Sequence, residues 1–178
     1  LGGGGTLLNK EMFTTPGSFT FEVPAGITVI SVEVGGAGGG GGNSASDGSD
    51  GGNSGFSGNG HDVIAFGGAG GLGSYDDTPN KNAYAHVTGS GGDAYLAGKG
   101  SPGGMGATSE WQSSQYDISS DGHVGNPGGS AFKNIAVTPG QIFTVTVGSG
   151  GTGAVGRNSG RTYGDSAAGA PGYVIINW

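Results

Sequence analysis

Residues 16–42 read PGSFTFEVPAGITVISVEVGGAGGGGG, and the change of texture along this stretch decides the fold. In residues 18–23, Phe19, Phe21 and Val23 alternate with Ser18, Thr20 and Glu22, the period-2 pattern of a half-buried strand. Pro24-Ala25-Gly26 supplies a turn. Residues 27–34 make a second strand, with Ile30, Val32 and Val34 on one face. The alternation then stops, and an almost pure glycine run follows without a helix former in it.

Similar strands recur at the other end of the chain. Residues 131–137 (AFKNIAV) and 141–147 (QIFTVTV) flank Thr138-Pro139-Gly140, and residues 173–178 read YVIINW. Phe143, Val145 and Val147 alternate with Thr144 and Thr146. Neither end alone carries enough apolar surface for a core, so the N- and C-terminal strands must pair with each other. The expected class is all-β: a small antiparallel sheet or sandwich with essentially no α-helix.

The middle is dominated by glycine. The chain holds 46 Gly in 178 residues, against about 7% in ordinary proteins. Gly-rich runs fall at 35–42, 67–73, 98–106, 122–129, 148–156 and 164–172, with weaker ones at 51–60 and 89–92. Runs of this kind can lie side by side as three-residue-per-turn helices of polyproline II type, a polyglycine II bundle. Such helices have no internal hydrogen bonds, and their amides must bond to neighbours. Ordering glycine costs roughly 0.5–1 kcal/mol per residue relative to Ala, so dense bonding between runs must offset a few tens of kcal/mol. Otherwise the runs are linkers.

Composition and motifs exclude several functions. There is no Cys, hence no disulfide and no thiolate metal site. With a formal charge of −7 and only 6 Lys plus Arg, the chain is unsuited to nucleic acid, whose binding rests on phosphate neutralisation. Residues 36–41 fit G-x-G-x-x-G after a strand, but GNSASDGSDGG follows where a dinucleotide site needs a helix. Asp47, Asp50, Asp76, Asp77 and Asp121 show no sustained nonapeptide repeat and read as solvated turn residues. His61, His86 and His123 lack metal spacing, so no metal or other cofactor is expected. No G-x-S-x-G elbow appears. Glu110 and Asp117 are the one nearby acidic pair in an aromatic segment, the minimum that carbohydrate cleavage would need. No catalytic constellation emerges, and the expected class is not an enzyme.

Between the runs, residues 43–66, 74–88, 107–121 and 154–166 are polar, irregular and unlike each other. They carry Tyr75, Tyr84, Trp111, Tyr116 and Tyr163. On a rigid bundle these segments become loops gathered at its ends, and rigid scaffolds with variable loops commonly build binding surfaces. Tyr and Trp offer contact area at low entropic cost.

The series PGSFTFEVPAGITVISVEVGGAGGGGG, then GGSAFKNIAVTPGQIFTVTVGSGG (residues 128–151), then GYVIINW (residues 172–178) resembles the glycine-rich domain at the ends of phage and prophage tail fibres. The middle is similar to the adhesins that cap the long tail fibres of T-even-like phages. The resemblance covers residues 13–178 and leaves 1–12 as a linker or N-terminal extension. It implies a polyglycine II sandwich with distal loops, located on the virion at the distal end of a tail fibre. The implied partners are a bacterial cell-surface receptor, either outer-membrane protein or surface glycan, and the rest of the fibre. Both a homotrimeric fibre end and a single-copy cap fit it. Candidate receptor-binding residues, from loops 74–88 and 107–121, are Tyr75, Tyr84, His86, Trp111 and Tyr116. A purely structural or ice-binding polyglycine protein is the alternative.

Overall fold

The computed structural model describes residues 9–43, 46–73, 89–96, 100–102, 108–112, 117–156 and 162–178, with backbone alone at 95–96, 108–112, 117–121 and 162–163. Thirteen strands are described: β1 Lys10–Phe13, β2 Gly17–Glu22, β3 Val29–Gly35, β4 Ser54–Gly58, β5 His61–Ala65, β6 Gly89–Ser90, β7 Ala94–Leu96, β8 Thr108–Gln112, β9 Asp117–Asp121, β10 Ser130–Ala136, β11 Ile142–Val147, β12 Thr162–Tyr163 and β13 Tyr173–Asn177. The architecture is all-β, and the described residues contain no helix with its own ladder of hydrogen bonds.

Two antiparallel sheets face each other, in the orders β1-β13-β3-β10-β7 and β2-β11-β4-β5-β6. Ile30, Val32, Val34, Ala131, Ile135, Val174 and Ile176 from the first meet Phe21, Phe56, Val63, Ala65, Phe143, Val145 and Val147 from the second in one core. Phe56 stacks on Phe143 with ring centroids 4.6 Å apart. The alternating faces expected at both ends of the chain point into this core. The terminal strands pair as the sequence requires: β2 with β11, and β3 with both β13 and β10.

Three stretches differ from the sequence reading. Residues 54–65, expected within a polar loop, form the β4–β5 hairpin and bury Phe56, Val63 and Ala65 at 0% exposure. Its alternation is diluted by Gly55, Gly58 and Gly60, and the chain turns at Asn59 and Gly60 with positive φ. Residues 108–112 and 117–121, from the segment 107–121 expected to be an irregular loop, pair as β8 and β9. Lys10–Met12, assigned to the N-terminal extension, are bonded to β13 as part of β1, where paired edge backbone gains partners that polar side chains do not advertise.

The turns after β2 and after β10 are crossovers. Each carries the chain from one sheet to the other, and the two turns bond to each other through Val23 N–Gln141 O and Gly140 N–Val23 O, both 2.9 Å.

Beyond the sandwich, the glycine runs form a lattice around residues 36–42, which continue directly from β3 and are buried throughout. Its amides address three neighbours in strict rotation. Gly36, Gly39 and Gly42 donate to Gly129, Asn126 and His123; Ala37 and Gly40 to Gly52 and Ser49; Gly38 and Gly41 to Ala170 and Ala167, all at 2.8–3.0 Å. Its carbonyls accept from three others: Ala37 and Gly40 from Gly68 and Gly71, Gly38 and Gly41 from Gly151 and Ala154, and Gly36 from Ser101. A three-residue period of this kind is that of a polyproline-II-type helix, roughly 19 Å long over six steps of 3.1 Å. Six runs therefore surround the seventh. The three accepting runs lie antiparallel to it, and those through Gly68 and Gly151 lie parallel. The six ring runs also bond to each other in sequence, closing the circle.

Glycine is required here by close approach. A Cβ on Gly39 would overlap the Ala69 carbonyl, on Gly70 the Gly48 carbonyl, and on Gly125 the Gly39 carbonyl. Gly39→Val and Gly70→Val should therefore each lower the melting temperature by about 5–10 °C, from overpacking of about 1–3 kcal/mol and broken hydrogen bonds. Gly55→Ala is the control. Its new Cβ would meet its nearest atoms at 3.5 and 3.8 Å, and its melting temperature should stay near that of the wild type.

Where lattice and sandwich join, the Tyr173 ring lies across Gly35 and its hydroxyl donates to Glu33 Oε1 at 2.8 Å. Burial, then the Glu33 hydrogen bond and charge, push the phenol from 10.0 up to about 12. The fold thus favours the neutral phenol. That contribution is complete below pH 10 and is lost as pH rises towards 12. Chemical unfolding across this window should show a stability loss that Tyr173→Phe diminishes.

Candidate functional site

The lattice has two ends with different contents. At the sandwich end its runs continue into strands: 36–42 from β3, 47–53 into β4, 66–73 from β5, 122–129 into β10, 148–154 from β11, and 166–172 into β13. The described chain ends, Asn9 and Trp178, bond to each other at 3.1 Å in both directions. They lie at the pole of the sandwich away from the lattice, because β13 leaves the lattice at Tyr173 and β1 pairs with it antiparallel.

At the other end the described residues of these runs give way to four connections. Residues 43–46 link the central run to its neighbour. Residues 74–88 follow Gly73. The β8–β9 pair joins the lattice at Gly122, and residues 155–165 connect Ala154 to Ser166. β8 also pairs with β12, so that Thr162 lies opposite Glu110 and Tyr163 opposite Ser109. A three-stranded sheet, in the order β12-β8-β9, therefore belongs to this tip.

Asn43 closes the central run, at a position without prominence in the sequence. It is fully buried, at 0% exposure. Its Oδ1 accepts from the Ser46 amide at 2.8 Å and its Nδ2 donates to the Gly164 carbonyl at 3.3 Å. The Ser166 hydroxyl donates to the Gly42 carbonyl at 2.7 Å, and Asp165 Oδ1 accepts from the Gly156 amide at 2.6 Å. These side chains satisfy backbone groups that the lattice no longer reaches, and they tie two tip connections, 43–46 and 155–165, together. A polar residue ending a pure glycine run was the available signal.

Of the candidate contact residues, Trp111 lies in β8 opposite Ile118, one strand from Tyr163. Tyr75, Tyr84, His86 and Tyr116 lie outside the described residues. Glu110 pairs with Ser119 and Asp117 with Gln112 in the same strand pair. Among the described residues no three His, Asp or Glu side chains come together as a metal site. Asp47 and Asp50, expected to be solvated turn residues, instead accept lattice amides from Gly73 and Gly70.

Comparison of the chain with protein-family models, curated proteins and solved structures gives no match.

Removing the fully buried Asn43 carboxamide takes their partner from the half-buried Ser46 amide and Gly164 carbonyl. Asn43→Ala should therefore lose about 1–3 kcal/mol in urea unfolding, more than a typical surface substitution.

Proposed function

We propose that the protein is the receptor-binding tip of a bacteriophage tail fibre, an adhesin that meets its bacterial host through the segments at the far end of the lattice. The observation that carries this reading is the polarity of the molecule. The described chain ends and the apolar sandwich occupy one pole, the small tip sheet belongs to the other, and a hydrogen-bonded lattice separates them.

The receptor is a surface protein or glycan, and the likeness of the strand series to glycine-rich fibre ends supports its location on the virion. The chain is read as a binding protein without catalytic chemistry. Trp111, Tyr75, Tyr84, His86 and Tyr116 are the proposed contacts, with Trp111 fixed to the tip sheet by its backbone pairing. Residues 54–65 drop out as an alternative contact region, because they belong to the sandwich.

Truncating an interface Trp typically costs 2 kcal/mol or more, so Trp111→Ala should weaken attachment to a susceptible host by about 30-fold. The melting temperature should be unchanged, since the core and lattice do not involve this strand. Attachment and melting are to be measured on the same preparation. Undiminished attachment by a variant with Ala at Trp111, Tyr84 and Tyr116 together would place the receptor site elsewhere. Thermal hysteresis in the wild type would favour the ice-binding alternative.

A further inference from the structure

A lattice of this type has no intrinsic edge. Its outer runs present amides and carbonyls to the outside, in the same three-residue rotation that binds the inner ones. Such an array is open to a further run, as an exposed edge strand is open to a further strand. On one side of this molecule the array is closed by side chains. In the run 67–73, the amides of Gly67, Gly70 and Gly73 meet side chains and not the carbonyls of another run. They donate to Asn53 Oδ1 at 2.9 Å, Asp50 Oδ1 at 2.9 Å and Asp47 Oδ1 at 2.6 Å.

The three acceptors are spaced three residues apart on the adjacent run, in step with the three donors and opposite in direction. They are exposed residues, and the backbones of the same two runs are already joined by Gly48 N–Gly71 O and Gly51 N–Gly68 O at 2.8 Å. Side-chain oxygens thus occupy the positions that the carbonyls of an eighth run would take. Two of the three are carboxylates, on a chain of formal charge −7.

We propose that the Asp47–Asp50–Asn53 ladder ends the lattice on this side, and that without it this rim becomes an association surface for a second copy of the chain. The partner is another copy because its own glycine runs supply carbonyls at the matching three-residue repeat. The inference does not depend on the receptor reading, since it concerns the flank of the lattice and not its tip.

The test is sedimentation of three variants of the whole chain beside the wild type, over a range of concentrations, with a cooperative melt required of each. The Asp47→Ala, Asp50→Ala, Asn53→Ala triple variant frees all three amides. It should shift, reversibly on dilution, to a species of twice the wild-type mass. Asp47→Asn with Asp50→Asn keeps the acceptors and removes the charges, and it should sediment as the wild type does. Unchanged mass in the triple variant overturns the proposal. Association of both variants also overturns it, because charge repulsion and not occupation of the amides would then be what keeps copies apart. If the triple variant fails to melt cooperatively, Asp50→Ala alone decides: association above wild type supports the proposal and wild-type behaviour overturns it.

Discussion

The amides of residues 36–42 belong to no strand ladder and to no helix that bonds to itself, yet they are buried. Every other feature of the lattice follows from giving them partners. Buried backbone groups without hydrogen bonds are costly, and a three-residue-per-turn helix cannot bond to itself. The carbonyls must come from neighbouring runs in several directions, close enough that a Cβ at Gly39 or Gly125 would occupy the same space as a neighbour's carbonyl. Glycine is therefore needed on the inward-facing positions of every run. Larger side chains stand where a position turns outward, as at Asp50 or Thr152, which are exposed, while the central run admits the small Ala37 at 0% exposure.

The lattice alone has almost no apolar surface to remove from water, and ordering so much glycine opposes its formation. The sandwich supplies the hydrophobic contribution. It also fixes the stagger of the runs. Gly35 is opposite both Tyr173 and Ser130 in the sheet, so the runs leaving β3, entering β13 and entering β10 start at one level. Once aligned there, the runs meet in the right rotation along their length. The Tyr173–Glu33 contact sits at that joint.

The arrangement separates constraint from variation. Within the runs, two positions in three are restricted by neighbours. At the tip no such rule applies beyond the closure made by Asn43, Asp165 and Ser166.

Strands with uninterrupted alternation were legible from the sequence alone, because a period of two with one apolar face has few other physical meanings. This held for β2, β3, β10, β11 and β13. The glycine content by itself required either a bonded bundle or a linker. The β4–β5 hairpin was not legible, since three glycines interrupt its apolar positions. The run 47–53 (DGSDGGN) looked like a loop because polar residues fill its outward third positions. At the tip the aromatic content was visible, but the pairing of Trp111's strand with two others was not, because cross-strand register leaves no mark on irregular polar sequence. Only the tertiary structure decided that the Pro-Gly turns cross between sheets, that residues 36–42 form the centre of the lattice, and that Asp47 and Asp50 bind amides. Each of these depends on which distant segments lie alongside, and the burial of the two apolar faces against each other, together with the directionality of the backbone hydrogen bond, settles that choice.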